Sequence, residues 1–534
     1  MKQHMEKWNV VVSQEVDCQD KVGYAHCGVD PECAAARQIA QWLGNADVVD
    51  DSVKSGREVL VGFTNRTETA DFLNRLQKNQ YGILRAGDKI VVAGHCVASI
   101  VMAAEYLLSL SPGDVADGFC QVMTYDGWIV DIPECGGEYL GMTDCCYENV
   151  EFVFAAGADD YQTYLGKLEQ SGYQKTYENA ICNNCFSRWA KEENFLSVSF
   201  SEAEQCIRII SGSAGKNNFF QIIPGQGSCD KIADVTMTQM MLDYASGSFG
   251  MCYIIRLEDS SFVIFDGGHV RVVNGYPRTF DHARLYSLLQ ELNERPDSQI
   301  VIRTWFMTHE HSDHFNVFYW FCKEYGDKVD IQTYASCSCS DTVAYNAKNP
   351  EHHTTSGRLA QANEWAGGFD LVTLQTGDDF TLGNVRFEIL YTVDDLFPDR
   401  LHYFNDSSFV SKMTYAGQST MWLGDICAAP SELLCKRYTP SYLKCDFVNM
   451  AHHGLNGARQ ELYDAIEPKV LLWSLWDLLA TKQLEENADT SVEHIRIAQH
   501  LLLRENPPEC YYHRRSNYTF RMPYGGAEED LIKL

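Results

Sequence analysis

The feature that most constrains this chain is the hexapeptide His309–His314, which reads His-Glu-His-Ser-Asp-His and follows the mostly apolar run Ile300–Met307. Alternate residues of an extended segment project to the same side, so we expect His309 and His311 to face one site. Neutral imidazole nitrogens and carboxylate oxygens are common ligands of divalent metal ions. The hexapeptide therefore predicts a metal site at the end of a buried strand.

A helix is predicted to follow this strand. Phe315, Phe318, Tyr319 and Cys322 repeat at helical spacing, and Asp313 is well placed to help cap the first turn. The candidate ligands then lie on a strand-to-helix corner. The competing interpretation is a surface cluster of polar loop residues.

The hexapeptide resembles the HxHxDH motif of the metallo-β-lactamase superfamily, and the resemblance covers residues 223–534. Phe262–Gly268 is similar to the first motif of that family, an apolar strand that ends in an aspartate and a glycine turn. By this resemblance Asp266 supports the site. Asp425, after the strand Ser419–Leu423, resembles the carboxylate that bridges the two metals.

The segment Phe447–Gly454 ends another apolar strand in two histidines and resembles the last ligand motif of the family. Either His452 or His453 would complete the shell of the second metal. The resemblance also implies that Asp313 and Asp425 act as the catalytic carboxylates. The implied metal ligands are His309, His311, Asp313, His314, Asp425 and one of His452 and His453.

The stretch Asn405–Val410, followed by a hairpin, Gly-Asp and His-His-Gly, is closest in pattern to the nuclease-like domain of DNA-uptake competence channels. That branch lacks the usual histidine of the third motif. Here, too, no histidine precedes Asp425 in a Gly-His turn, and Asn405 occupies the stretch with His402 as an alternative. The third protein ligand of the first metal is therefore open. Leu455-Asn456-Gly457 replaces the serine that the branch carries after His-His-Gly, so its substrate is not carried over.

The resemblance implies two divalent ions, zinc first and manganese or iron as alternatives, and leaves open whether only one site fills completely. A divalent ion lowers the pKa of bound water from 15.7 to about 7 and polarises a carbonyl or phosphoryl oxygen. We therefore predict a metal-dependent hydrolase that uses metal-bound hydroxide to cleave an ester or phosphodiester bond. The alternative is a metal-retaining binding or sensory protein of the same fold without turnover. Di-iron redox chemistry is a third interpretation, but the chain contains no glycine-rich dinucleotide motif.

The formal net charge of −30 bears on the substrate. A protein that binds nucleic-acid backbone normally presents a basic field, so the charge disfavours long nucleic acid and favours a small-molecule or nucleotide-sized substrate. His513-Arg514-Arg515 is the only notable basic cluster in the hydrolase part, and we interpret it as a solvated pair on a late strand.

The length of 534 residues exceeds what one core usually supports. We predict an α/β (α+β) protein in three parts: an α/β accessory domain over residues 1–115, a second small α/β domain of unknown role over 116–222, and an αββα sandwich over 223–534. Arg57–Arg66, with Tyr81–Ile83 and Lys89–Gly94, weakly resembles the accessory domain of β-hexosaminidases and α-glucuronidases, where it is structural. A generic α/β unit is the alternative.

The twenty cysteines lack the density of a disulfide framework, so we expect reduced and mostly buried thiols. Cys182 and Cys185 form a CxxC, and Cys145-Cys146 lies upstream. A structural zinc site is conceivable there, but buried free thiols are the default. The chain shows no secretory signal and no apolar stretch of membrane-spanning length, which makes a cytoplasmic location the expectation. The oligomeric state is not predicted.

Overall fold

The computed structural model describes residues 7–19, 29–44, 46–213, 229–243, 250–295, 297–340, 356–475, 477–512 and 516–533. The basic cluster His513-Arg514-Arg515 lies outside the described residues. We refer to the parts of the chain by their sheets, as the first unit, the second unit and the sandwich.

The first unit is a mixed sheet with helices on both faces. Its elements are β1 Asn9–Val12, α1 Pro31–Trp42, β2 Asp47–Asp50, β3 Glu58–Val61, α2 Thr67–Leu73, β4 Gln80–Ala86, β5 Lys89–Gly94, α3 Val97–Ser109 and β6 Cys120–Thr124. The strand order is β2-β1-β3-β5-β4-β6. Because strand side chains alternate, Val59 and Val61 of β3 share a core with α1 and α3, whereas Leu60 packs with Phe72 of α2.

Strand β6 pairs antiparallel with β4, so the first sheet extends beyond residue 115. The predicted limit at residue 115 therefore falls before the last strand of this sheet, because β6 has no marked alternation of apolar residues and is recognised only by its pairing with β4. The division of the chain into three domains otherwise stays a prediction.

The second unit is an antiparallel sheet covered by one helix. Its elements are β7 Glu138–Asp144, β8 Val150–Ala155, α4 Ala158–Gln170, β9 Gln174–Ile181, β10 Asn184–Lys191, β11 Asn194–Ser201 and β12 Cys206–Ser213. The strand order is β7-β8-β12-β11-β10-β9. Tyr161, Tyr164 and Leu168 of α4 pack with Trp189 and Val198 of the sheet. A buried aromatic layer therefore holds α4 on the sheet.

The sandwich contains two larger sheets. The first sheet consists of β13 Thr236–Gln239, β14 Cys252–Arg256, β15 Phe262–Asp266, β18 Ile300–Met307, β19 Val329–Ile331, β20 Thr333–Ser336, β21 Asp370–Thr373, β29 Tyr518–Arg521 and β30 Leu531–Lys533. The second sheet consists of β22 Asp379–Leu382, β23 Val385–Tyr391, β24 Val410–Tyr415, β25 Gln418–Trp422, β26 Phe447–Asn449, β27 Val470–Trp473 and β28 Glu509–Tyr512. A separate hairpin is formed by β16 Val272–Val273 and β17 Tyr276–Pro277.

The helices of the sandwich lie outside the two sheets. They are α5 Asp281–Leu292, α6 Ser312–Tyr325, α7 Ser356–Trp365, α8 Ala428–Arg437, α9 Pro440–Leu443, α10 Gln460–Ile466, α11 Asp477–Gln483 and α12 Glu493–Leu502. One core joins the inner faces of the sheets, including Phe265, Phe306, Phe387 and Trp422. A second core joins the first sheet to α5, α6 and α7, and a third joins the second sheet to α8, α10 and α12. These layers confirm the predicted αββα sandwich.

Parallel strand pairing collects the candidate ligands at one edge. β15 pairs parallel with β18, and β25, β26 and β27 are parallel neighbours in the other sheet. The carboxyl ends of parallel strands meet at the same edge of a sheet. Asp266, His309, Asp425 and His453 all lie at or just after such strand ends.

The cysteine prediction needs one correction, because Cys18 and Cys33 form a disulfide with their Cα atoms 5.4 Å apart. Backbone and side-chain bonds between Asp17 and Asp30 hold these two segments together. More than half of the other described cysteines are buried. Cys182 lies exposed at the hairpin turn between β9 and β10, with a φ of 54°. No helix in the described part of the chain has the length and apolar character needed to cross a bilayer.

Buried arginines join the second unit to the sandwich. Nε of Arg437, near the end of α8, lies 2.5 Å from Oε2 of Glu204, and its Nη1 lies 2.7 Å from Oδ1 of Asp395. Arg188 of β10 pairs in the same way with Asp378. Buried charges lose hydration, so each depends on its partner.

We expect Arg437→Met to lower the free energy of unfolding by about 3–5 kcal/mol, because it leaves the buried Asp395 without its cation and leaves Glu204 with Arg208 alone. The measurement is urea denaturation followed by tryptophan fluorescence. Arg496→Met is the matched control, since Arg496 forms an exposed pair with Glu493 on α12, and its loss is expected to cost about 0–1 kcal/mol. Equal losses in both variants would contradict a structural role for the buried pair.

Candidate metal centre

The corner after β18 brings the hexapeptide to the edge of the sandwich. Helix α6 begins at Ser312, and His311 is its N-cap residue without a side-chain cap hydrogen bond. Asp313 therefore lies in the first turn rather than at the cap position, and its carboxylate is directed to another element: Oδ2 is 3.2 Å from Nε2 of His453. The predicted strand-to-helix corner is present.

Four side chains form a compact cluster at this corner. One ligand atom from each of Asp313, His314, Asp425 and His453 lies within 4.8 Å of the ligand atoms of the other three. Oδ2 of Asp425 is 3.2 Å from Nε2 of His314 and 3.4 Å from Nε2 of His453. The cluster combines two imidazoles with two carboxylates, a donor set that suits zinc, manganese or iron.

Asp266 holds one of these imidazoles in place. Its Oδ2 is 2.8 Å from Nδ1 of His314, and its Oδ1 accepts hydrogen bonds from the backbone N–H and the hydroxyl of Thr308. A carboxylate at one ring nitrogen fixes the orientation of the ring and directs the other nitrogen outward. The structure therefore places Asp266 behind His314, with the cluster on the other side of the ring.

His309 and His311 lie together beside the cluster, as the strand alternation predicts. Nε2 of His309 is 3.0 Å from Nδ1 of His311 and 3.9 Å from Oδ2 of Asp425. Nδ1 of His309 is 3.1 Å from the Ser408 hydroxyl. The Asp425 carboxylate therefore lies between the two groups of histidines.

The structure distinguishes the two histidines of the last motif. His453 is buried and belongs to the cluster. Nδ1 of His452 instead lies 3.4 Å from the backbone oxygen of Asn456, and among the described residues His452 forms no hydrogen bond with a member of the cluster. Both have left-handed backbone, with φ values of 50° and 57°. A side chain at Gly454 would place a Cβ 2.3 Å from Nε1 of Trp473, so glycine is required where this turn approaches β27.

The structure also distinguishes the two alternatives for the third motif. Asn405 is buried, and its Nδ2 is 3.4 Å from Oδ2 of Asp425. His402 is exposed and lines a neighbouring cavity instead. Asn405 therefore reaches the centre, and His402 does not.

Sequence analysis missed Ser408 and Thr308. The Ser408 hydroxyl accepts a hydrogen bond from the backbone N–H of Asp425, in addition to its contact with His309. Thr308 joins Asp266 to the end of β18. Ser408 falls within the Asn-Asp-Ser-Ser stretch that was singled out for Asn405, but small hydroxyl residues are too common in loops for their role to be inferred from type alone.

The charges of the cluster depend on each other. Burial by itself lowers the pKa of His453, but the carboxylates of Asp425 and Asp313 raise it to about 9. Burial opposes ionisation of Asp425, yet His453 and His314 hold its pKa well below the ordinary value. Burial, with the nearby His314 and His311, lowers the pKa of His309 well below its usual range. The positive charges favoured on His453 and His314 thus compensate the negative charge of the buried Asp425 carboxylate.

Two buried oxygen atoms of the metal centre have no hydrogen-bond partner, as expected of a site that binds a cation. In the part of the chain that the structure describes, Oδ1 of Asp425 and Oδ1 of Asn405 are buried without a hydrogen-bond partner. An unsatisfied buried polar group costs about 1–3 kcal/mol, so both acceptors require a donor or a cation. The residues fit a divalent ion held by Asp313, His314, Asp425 and His453, with His309, His311 and Asn405 at its side.

No family model and no curated protein matches this chain. It is similar to the solved structure of the metallo-β-lactamase fold protein YhfI from Bacillus subtilis, at 10% identity over 52% of this chain and 97% of that chain, with a TM-score of 0.32. It is similar to CmlA, a diiron β-hydroxylase from Streptomyces venezuelae, at 14% identity over 54% of each chain, with a TM-score of 0.29. It is also similar to Zn²⁺-bound PqqB from Methylobacterium extorquens, at 9% identity over 40% of this chain and 71% of that chain, with a TM-score of 0.22.

Likenesses this distant say nothing about the activity of this chain. Its own four layers, with the histidine and aspartate motifs at the shared edge of two sheets, are those of a metallo-β-lactamase fold. The closer similarity to competence channels stays a prediction.

We expect zinc affinity to rise with pH up to about 9, because a metal binds only neutral imidazole and must displace the proton on His453, whose pKa is about 9. Below that pH the proton competes with the metal, and above it this competition ends. The measurement is calorimetric titration of zinc in two buffers of different ionisation enthalpy, which also counts released protons. Affinity independent of pH would contradict the proton balance described here.

We expect His453→Ala to lower zinc affinity at least about tenfold, because it removes an imidazole from the cluster. His452→Ala is the matched control, since it removes the neighbouring imidazole with the same left-handed backbone but no place in the cluster. Elemental analysis after dialysis against a metal buffer measures occupancy. Equal loss in the two variants would show that the last motif uses both histidines.

Proposed function

We propose that this protein is a metal-dependent hydrolase that cleaves an ester or phosphodiester bond. One observation carries the proposal: the buried Asp425 carboxylate lies between the His309–His311 pair and the cluster of Asp313, His314 and His453. A carboxylate in that place can bind to both sides of a centre at once. When bound, divalent ions would supply a hydroxide nucleophile at neutral pH and polarise the bond to be cleaved.

Neighbouring residues orient the Asp425 carboxylate and keep it charged for metal binding. Its backbone N–H is fixed by Ser408, and Nδ2 of Asn405 lies 3.4 Å from its Oδ2. Neighbouring imidazoles keep the carboxylate ionised despite full burial. A ligand that is already oriented and charged loses little freedom when a cation or substrate binds.

Asp313 is the carboxylate best placed to handle protons. Its side chain is 25% exposed, whereas the side chains of Asp425, His314 and His453 are at most 1% exposed. Burial alone would raise the pKa of the Asp313 carboxyl, but the hydrogen bond from His453 and the charge of His314 hold it well below its usual range, so Asp313 is ionised and can accept a proton at the edge of the centre. General acid–base groups need this access to both sides.

A cavity of about 560 Å³, lined by Asp406 and Cys427 but by none of the metal-site side chains, lies beside the segments that carry Asn405 and Asp425, and we propose that it admits a small substrate. Its walls include Cys427, two residues after Asp425, and Asn456, whose backbone oxygen contacts His452. Cavities of this size hold small organic molecules. The volume and the net charge of −30 together favour a small-molecule or nucleotide-sized substrate over long nucleic acid.

The test is a panel of chromogenic carboxylic esters, lactones and phosphodiesters with zinc-, manganese- and iron-loaded protein. We expect turnover on at least one class and a loss of about 100-fold or more in kcat/KM for Asp425→Asn. His500→Asn is the control, because His500 pairs with Asp464 at the surface. Stoichiometric metal without turnover on any substrate would overturn the proposal.

The buried Asn405 favours a second candidate, a metal-retaining binding or sensory protein. An amide at this place gives a weaker ligand than a third imidazole, which would leave the His309–His311 side less able to hold an ion. Ligand-induced thermal stabilisation of metal-loaded protein, without activity on the panel, would support this candidate. Turnover abolished by Asp425→Asn would exclude it.

A further inference from the structure

A second cavity, of about 410 Å³, lies where the first unit, the second unit and the sandwich meet. Its walls include His95 of the first unit, Tyr139 of β7 and Arg400 of the sandwich. Cys339 and Leu401 also line it and pack against Phe404, whose ring centre is 4.9 Å from that of His311. None of the four clustered metal-site residues lines this cavity, so it is distinct from the metal centre.

Acidic groups dominate the walls. Arg400 is the only arginine among the lining residues, and its guanidinium is already taken by Asp30 at 3.2 Å and Glu32 at 3.0 Å. The lining carboxyl groups are those of Glu15, Asp30, Glu32, Asp144, Glu151, Asp394 and Asp399. The end of the cavity near Glu151 and Asp394 therefore has more acid than its own walls neutralise.

Glu151, one of these lining acids, is only partly paired. Its side chain is 0% exposed, and Oε1 is paired with Nη1 of Arg208 at 3.2 Å. Oε2 is buried and has no hydrogen-bond partner among the described residues. Arg208 is itself shared with Glu204 and with the backbone oxygens of Asp394 and Phe397, so it cannot serve Glu151 alone.

The protonation of these acids agrees with the geometry. Burial raises the pKa of Glu151 to about 8, although Arg208 opposes the rise. Burial also raises the pKa of Asp394 to about 6, with a further rise from Asp395. A carboxyl group that is buried without a full set of cationic partners has a raised pKa, and a neighbouring ammonium ion would lower that pKa again by favouring the charged form.

The remaining walls are apolar and aromatic. Phe63, 44% exposed, and Phe397 line the cavity together with Met142, Val393 and Leu396. Such walls bury hydrocarbon, and aromatic faces also attract cations. The cavity thus combines a hydrocarbon-binding surface with an unpaired carboxylate oxygen.

We propose that this cavity binds a small organic amine as its ammonium ion. The ammonium group donates a hydrogen bond to Oε2 of Glu151, and its hydrocarbon part packs against Phe63 and Phe397. A volume of about 410 Å³ is within the range of cavities that hold small organic ligands. Binding at this site requires neither metal nor turnover, so its test is independent of the proposed hydrolase activity.

The test is calorimetric titration of the full-length protein at physiological ionic strength with 1,5-diaminopentane, and with 1,5-pentanediol as the uncharged match. We expect the diamine to bind at one site per chain and the diol to bind at least about tenfold more weakly, because a paired charge buried with its partner contributes more than a hydroxyl. Glu151→Gln keeps the shape of the side chain and should weaken diamine binding at least about tenfold. Glu169→Gln is the matched control, because Glu169 is exposed on α4 and does not line the cavity.

Leu140→Trp keeps the test decisive if Glu151→Gln fails to fold. Leu140 lines the cavity and is 42% exposed, so the larger side chain can narrow the cavity without entering a core. Loss of diamine binding in either cavity variant, with binding retained in Glu169→Gln, supports the proposal. Equal binding of diol and diamine, weak binding at many sites that the variants leave unchanged, or displacement of the diamine by calcium chloride would each overturn it.

Discussion

The centre depends on buried carboxylates that would be unstable without the imidazoles around them. Asp266 fixes His314 from behind, and His314 and His453 in turn keep Asp425 ionised at the edge where two sheets meet. Removing either kind of group would leave the other charged in a place without water. This mutual dependence links the ends of strands β15, β18, β25 and β26, and it raises the pKa of His453 to about 9 despite its burial.

Buried charges also need partners at the boundary between the second unit and the sandwich, but there only some of them are fully paired. Arg437 and Arg188 each have buried carboxylate partners, so their charges are matched and serve cohesion. Glu151 shares Arg208 with other acceptors, and one of its oxygens is left over at the wall of a cavity. The paired arginines therefore stabilise the boundary, whereas the incompletely paired Glu151 is the place where we propose that an ammonium ion binds.

Much of the sandwich could be predicted from the sequence, because its signals are local. Apolar strands ending in Asp266, in the hexapeptide and in His-His-Gly give the strand ends directly, and the hydrophobic spacing after Asp313 gives α6. The extent of the first sheet could not be predicted in this way. Strand β6 has no marked apolar alternation and is defined by its pairing with β4, a contact between distant residues.

The sequence by itself determined the chemistry that is available: imidazoles and carboxylates in a fixed order along strands that end at one edge. Only the tertiary structure decided which of these groups meet. It placed His453 in the cluster and Asn405 beside Asp425, and it left His452 and the exposed His402 outside, because side chains close in sequence face different surroundings in the fold. It also created the acidic cavity, whose walls come from three parts of the chain that no local pattern connects. Residue type is a property of sequence, but distance between side chains is a property of the fold.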